Sequence, residues 1–258
     1  MKVLVVIPVV NLWNQYTKQC IESLASEKNS VEYMVIDNAS TDSTKEEMEK
    51  LIVDTTFPIK YAYRYKRNEE RWSVSKSWNY GMQFAYNNGY DYCLILNNDT
   101  ILNERCIDEM VKRFEVARYN KENIMLVSGL HNTILEKPRD IMKMPDNNLS
   151  VVEGESPDYA CFMVGREYYE KVGLFDENFK PAYFEDWDSA YRIKLAGGRC
   201  IYTPRAMFYH YGSRTQKEAL GNGKVIVPSP EFEINRKYYI AKWGGQQGKE
   251  IYKTPFNK

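Results

Sequence analysis

Residues 94–100 read "LILNNDT", and the break inside them decides the fold. Leu94, Ile95 and Leu96 have the continuous apolar character of a strand buried on both faces. Asn97, Asn98 and Asp99 then turn abruptly polar. Working outward, the same grammar recurs. Val3 to Val10 is a continuous apolar run, and "VEYMVIDN" (31–38) is another that ends on Asp37 and Asn38. Residues 59–65 read as a third strand and Tyr92–Leu96 as a fourth. Between them lie helical spacings: Thr17, Cys20, Ile21 and Leu24; a capping-box pattern of Ser43 and Glu46; residues 73–88 ending at Asn88-Gly89; and Ile107, Met110, Val111 and Phe114 with Asn103 as a cap. Alternating strand and helix predicts an α/β chain with a mostly parallel central sheet flanked by helices. Ligands of such sheets bind outside the carboxyl ends of the strands, which puts Asp37 and Asp99 on one rim.

The second half is less regular. Ile124–Ser128 and Tyr159–Val164 read as strands and 136–150 as a loop. Helices are expected over 166–172 and over 185–196, the latter ending at Gly197-Gly198. "RCIYTP" and "AMFYHY" read as two short strands. Residues 212–230 are polar and rich in Gly and Pro, which predicts a mobile loop before a last helix ending near Trp243. The expected organisation is a nucleotide-sugar half (1–100), an acceptor and catalytic half of the same domain (101–211), and the loop with its C-terminal helix (212–258).

Composition narrows the function classes. The 258 residues carry 35 acidic and 35 basic side chains. A net charge of zero argues against a nucleic-acid surface, so an anionic ligand must be held locally. Five cysteines, an odd number with no CxxC pair, read as reduced thiols in a cytoplasmic protein. "MKVLVVIPVVN" holds a proline and no small-residue cleavage site, so it reads as a first strand and not as a signal peptide. No segment approaches the roughly 20 apolar residues of a membrane span.

Four places carry candidate chemistry. Asp99 has the hard oxygens that suit Mg²⁺ or Mn²⁺, with substrate phosphates supplying further ligands, though strand-end Asp and Asn residues also build turns. The Asn97 amide can reach a ribose or a water of the coordination shell. Asp37 suits a hydrogen bond from a nucleobase N–H or a ribose hydroxyl, or a turn; Asp42 suits a helix N-terminus. In "KPAYFEDWDSAYRIKLAGG", Glu185 and Asp186 stand in a first helical turn behind Tyr183 and Phe184. They complement the helix dipole, or they form a base whose pKa is raised by partial burial and a neighbouring carboxylate. His210 ends a short apolar strand; as a ligand beside Asp99 it would favour Mn²⁺.

Together these stretches resemble family 2 glycosyltransferases, inverting enzymes with the GT-A fold, over about residues 2–215. "VVIPVVN" resembles the family's opening strand, "VIDNASTDST" its second-strand signature and "LILNNDT" its DxD-type metal motif. "VGLFDENFKPAYFEDWDSAYRIKLAGGRCIYTP" with the later Tyr209-His210 resembles its acceptor-side segment. The resemblance implies a Rossmann-like sheet with a smaller acceptor-side sheet. It also implies Mn²⁺ or Mg²⁺ on Asp99 and His210, a nucleobase on Asp37, and Asp186 as the base beside Glu185. Pro8, Val10, Asn11, Asn68, Asn79, Asn97 and Asn98 would line the nucleotide-sugar site, with Arg71, Lys76 and Arg214 against the diphosphate or sugar. The first DxD position is Asn97, and "EERWSVSKSW" replaces the family's usual Gly-Phe after Arg67-Asn68. The "NND" form resembles rhamnosyltransferase-like members and implies a UDP- or dTDP-sugar donor. The acceptor would be a carbohydrate or a lipid-linked sugar, reached by peripheral membrane contact in the second case.

Two rivals share parts of this pattern. A sugar nucleotidyltransferase needs a Gly-rich basic loop after the first strand, which "PVVNLWNQ" lacks. A non-catalytic carbohydrate-binding relative would need no base, yet Asp37, Asp99, Asp186 and His210 are all present. A nicotinamide enzyme would need GxGxxG after a first strand, and this is missing.

Overall fold

The computed structural model describes residues 1–25, 28–53, 63–132, 135–144, 152–212 and 229–258. The strands are β1 (Lys2–Val9), β2 (Ser30–Asn38), β3 (Tyr63–Asn68), β4 (Tyr92–Leu96), β5 (Thr100–Leu102), β6 (Ile124–His131), β7 (Cys161–Gly165) and β8 (Arg199–His210). The helices are α1 (Lys18–Glu22), α2 (Thr44–Val53), α3 (Val74–Asn87), α4 (Cys106–Asn120), α5 (Arg166–Lys171), α6 (Glu185–Leu195) and α7 (Pro230–Trp243).

Among the described residues, eight strands join one sheet in the order β3-β2-β1-β4-β7-β6-β8-β5. β1 pairs in parallel with β2 and β4, β2 with β3, and β6 with β8. β7 runs antiparallel between β4 and β6, and β5 antiparallel beside β8. The expected α/β class and mostly parallel sheet are therefore present. The acceptor-side strands extend that sheet rather than forming a smaller one of their own.

Burial on both faces explains the continuous apolar runs. Along β1, Val3, Val5, Ile7 and Val9 pack on one side with α1 and α4, while Leu4 and Val6 pack on the other with α3. Gly81 lets α3 lie close: a Cβ there would come within 2.5 Å of the Val6 methyls. A third cluster, Phe179, Phe184, Tyr239 and Trp243, docks α7 against the start of α6.

Several local expectations are corrected. The two short strands after residue 198 are one strand, β8, whose pairing with β6 jumps from Gly129↔Thr203 to Leu130↔Met207. Pro204 thus sits in a bulge, where the missing N–H costs no ladder bond. Asn103 stands two residues ahead of the α4 cap position: its Oδ1 accepts the Arg105 N–H at 3.1 Å, and its amide donates to the carbonyls of Ile141 and Met144 at 2.8 and 3.0 Å. At α2 it is Asp42, not Ser43, whose side chain takes the Thr44 N–H, at 3.0 Å. The third strand begins at Tyr63; residues 54–62, where its start was expected, lie outside the described set. A 3₁₀ turn, Pro138–Lys143, occupies part of the expected loop at 136–150.

Candidate active site

Topology gathers the polar residues on one rim. β1, β2 and β4 end there, β6 and β8 end there, and antiparallel β7 begins there, since Leu96 pairs with Cys161. β5 starts at that rim as well, because Thr100 pairs with His210. That register sets His210 Nε2 3.2 Å from Asp99 Oδ1, both largely buried. The two positions expected to share a cation, 111 residues apart in the chain, are therefore in contact. His131, at the end of β6, lies with its ring centroid 5.5 Å from that of His210. Its Nδ1 is 3.8 Å from Asp158 Oδ2. Burial holds the His131 imidazole below its ordinary pKa, and Asp158 opposes that shift. His131, Asp158 and His210 bring ligand atoms within 4.8 Å of one another. Neither His131 nor Asp158 belongs to a short motif; the β6–β8 pairing brings His131 to the site, and Asp158, just ahead of β7, is held beside β6 by its N–H bond to Ser128 Oγ. The two imidazoles and the Asp158 carboxylate form a donor set that fits a divalent cation of the Mn²⁺ type, with Asp99 beside it on His210.

A cleft partly open to solvent adjoins this cluster. Pro8, Val10, Arg71, Asn97, Asn98 and Asp99 line it, together with Asn38, Trp72, Pro181 and Ala182. Asn98 is also tied down, donating to Thr17 Oγ1 at 2.9 Å.

Other expected contacts are engaged inside the protein. Asp37 is fully buried; one oxygen accepts from the Ser40 N–H at 2.8 Å, the other from Tyr65 Oη at 2.7 Å and Arg67 at 2.6 Å. Asn11 stitches two loops, accepting from the Thr41 N–H at 2.7 Å while its own N–H donates to Ser40 Oγ. Asn68 donates to Asn38 at 2.8 Å. Asn79 is buried and stands apart from the cleft, bonding the Phe175 N–H and carbonyl and the Glu177 carboxylate. The Lys76 ammonium lies 4.6 Å from the Trp72 ring centroid and 3.4 Å from Glu70. Arg214 lies outside the described residues.

The acid pair sits at a strained entrance to α6. Tyr183 and Phe184 have φ of 84° and 74°, left-handed values that cost an aromatic residue of order 1–3 kcal/mol each. Asn235 of α7 holds this segment, donating to the carbonyls of Lys180, Ala182 and Tyr183 at 3.2, 2.8 and 3.2 Å. Glu185 is buried, with no hydrogen-bond partner for Oε2 among the described residues. Burial, then the charge of Asp186, pushes its carboxyl up to about 8. Asp186 accepts the Trp187 N–H at 2.8 Å. Burial raises its pKa too, with Asp158 adding to the shift, which links the pair to the histidine cluster. Two residues on, Asp188 is fully buried and accepts from Trp243 Nε1 at 2.9 Å and Lys242 at 2.6 Å, fixing α6 to α7. The role of the C-terminal helix carried no sequence signal; it is to clamp the loop before the acids.

The described residues contain no helix long and apolar enough to cross a membrane. The five cysteines are unpaired.

Comparison with known proteins agrees with this architecture. A Leishmania donovani protein named galactofuranosyl glycosyltransferase is 25% identical over 164 residues, 57% of this chain and 38% of that protein. The chain thus spans well under half the length of this curated relative. S. aureus TarS 1–349 in complex with UDP superposes with a TM-score of 0.55 at 16% identity, over 81% of this chain and 60% of that one. GalNAc-T7 with UDP, GalNAc and Mn²⁺ gives 0.59 at 14% identity, over 81% and 44%. Identities this low speak for the shared GT-A fold alone. The glycosyl transferase family 2 model matches residues 4–137, just over half of the chain, from β1 through the ends of β4 and β6 that build the rim. The chain belongs to glycosyl transferase family 2.

Proposed function

We propose that this chain transfers a sugar from a nucleotide-diphospho-sugar to an acceptor hydroxyl, with inversion at the anomeric carbon. The observation that carries the reading is the Asp99–His210 contact of 3.2 Å on the edge of the cleft. The buried Glu185–Asp186 pair follows, three residues on in the chain, the cleft-lining segment Pro181-Ala182. In this reading the donor lies across the rim, its nucleoside towards Pro8, Val10 and Asn38. Asp37 acts through Arg67, because its own oxygens already accept from protein donors. Arg71 and Lys76 face the diphosphate and sugar. A divalent cation, Mn²⁺ or Mg²⁺, held by Asp99 and His210 would supply Lewis-acid stabilisation of the departing diphosphate. Asp186 takes the proton of the acceptor hydroxyl as its oxygen bonds to the anomeric carbon. The bond from that carbon to the diphosphate oxygen breaks on the opposite face, and the electron pair leaves with the nucleoside diphosphate.

The UDP and UDP-GlcNAc in the solved relatives favour a uridine donor, with dTDP as the alternative that the rhamnosyltransferase-like "NND" form suggests. A hexosyl or deoxyhexosyl group is the transferred unit. A carbohydrate, free or lipid-linked, is the acceptor, which fits polysaccharide or glycolipid synthesis. The test is a panel of UDP- and dTDP-sugars with Mn²⁺, scored by release of nucleoside diphosphate and by NMR of the product anomer. One donor turned over with inversion is expected. A retained anomeric configuration, or no turnover across the panel, overturns the reading.

A further inference from the structure

We infer that the outer face of α7, with the segment that returns along it (residues 249–258), is a docking surface for an anionic lipid membrane. The inference rests on the transfer reading above and deepens it, selecting the lipid-linked acceptor over the free carbohydrate.

Exposure is the first argument. Ile234 is 65% exposed, Ile251 73% and Phe256 41%. Large apolar side chains left in water mark an interaction surface when they adjoin one another. Ile234 and Tyr238 stand four residues apart on one helical face, and the Phe256 ring packs edge-on against Tyr238 at 5.8 Å. The N–H groups of Ile251 and Tyr252 bond the Trp243 carbonyl at 3.0 and 2.9 Å, which turns the chain back along the helix. Tyr252 packs inward on Gly244, and its neighbour Ile251 faces out.

Charge is the second. Lys237, three residues on from Ile234, shares the exposed side of α7, and Lys249, Lys253 and Lys258 are exposed in the returning segment. None of these four is ion-paired among the described residues. The neighbouring acids are engaged: Glu233 pairs with Arg236 at 2.7 Å, and Glu250 accepts from Tyr239 Oη at 2.6 Å and the Gly248 N–H at 2.9 Å. Glu231, also exposed, stands apart in the first turn of the helix. Apolar side chains among lysines fit an anionic bilayer, where the former enter the acyl boundary and the latter meet lipid phosphates. The same charge disfavours a two-fold contact between copies of this chain, which would set these lysines against one another.

Placement is the third. The inner face of α7 carries Asn235, which donates to the Ala182 carbonyl at 2.8 Å, and Ala182 lines the cleft. A helix is about 10–12 Å across, so the outer face lies about one helix diameter from the cleft wall. A bilayer docked there brings the sugar of a lipid-linked acceptor to the cleft with no membrane span.

The test is co-sedimentation of the full chain with vesicles, read without any sugar nucleotide. Binding to mixed phosphatidylcholine–phosphatidylglycerol vesicles is expected, with loss on pure phosphatidylcholine and at high salt. Each lysine at such a surface is worth about a fivefold change, so Lys237→Glu with Lys253→Glu should weaken binding roughly 25-fold or more. Ile234→Asn should weaken it several-fold. Both variants should keep the melting temperature, because the altered side chains are exposed. Unaltered protein that stays in the supernatant, or that sediments equally with neutral vesicles, overturns the inference, and neither result needs a variant to fold. So does vesicle binding that both variants leave unchanged. A dimer that Ile234→Asn abolishes, without vesicle binding, gives the face to a second copy and overturns it too. Vesicle binding with no turnover of any sugar nucleotide would sink the transfer reading and leave this one standing. Inverting transfer to a soluble acceptor by a protein that ignores vesicles would do the reverse.

Discussion

Asp186 and Glu185 are adjacent carboxyls with different expected behaviour. Asp186 should act as the base, so Asp186→Asn should lower turnover by about 10²- to 10⁴-fold with the fold intact, checked by initial rates beside circular dichroism. Glu185 has its carboxyl pushed up to about 8 from an ordinary 4.5. Between these values the folded protein holds a proton that the unfolded chain has released, so stability falls as pH rises through that window. Glu185→Gln should flatten this slope and raise the melting temperature most near pH 8; melting curves from pH 5 to 9 that keep the original slope would contradict it. Asp99, His210, Glu185 and Asp186 were legible because each stands in a short ordered motif. His131 and Asp158 were not, because only strand pairing and a loop contact make them neighbours. Asn11, Asn68 and Asn79 were expected at the ligand because the family resemblance implies it. The same positions suit loop stitching, and sequence does not separate the two uses.

At the scale of elements, β1, β2, β4 and α3 followed directly from apolar runs and caps, since local pattern and tertiary burial agree there. β8 did not, because Pro204 reads as a terminator while the bulge accommodates it. The contribution of α7 was hidden for a related reason: Asn235, Lys242 and Trp243 act on residues 52 or more positions away. Asn235→Ala would strip three carbonyls of their shared donor next to the strained Tyr183-Phe184 pair. It should cost about 1–3 kcal/mol of stability, measured by urea unfolding. It should also lower kcat more than it raises the KM for donor, since the acids move while the cleft walls near Pro8 and Asn97 stay. A purely structural role would leave the kcat of the folded fraction unchanged.

For the whole molecule, one rim collects the ends of β1, β2, β4, β6 and β8, and both halves of the chain supply the site. A ligand that binds only the folded state raises its stability by mass action, by about 2.7 kcal/mol at a hundredfold excess over Kd. UDP with Mn²⁺ should therefore raise the melting temperature in a concentration-dependent way, and a chelator should abolish the metal-dependent part. A melting point indifferent to both would show that nothing is held on the rim. The opposite end of the sheet is free of this chemistry, and that makes the protein easy to handle. Helix α4 finishes there, just ahead of the start of β6, and Tyr119 on its last turn is 88% exposed. It lies a strand's length, roughly 20 Å, from His131. Four native thiols are buried and the fifth, Cys200, is half-buried with its pKa pushed up to about 11. A Tyr119→Cys protein should thus take one fluorophore, or one bond to a solid support, and present its working edge outward to whatever acceptor is offered.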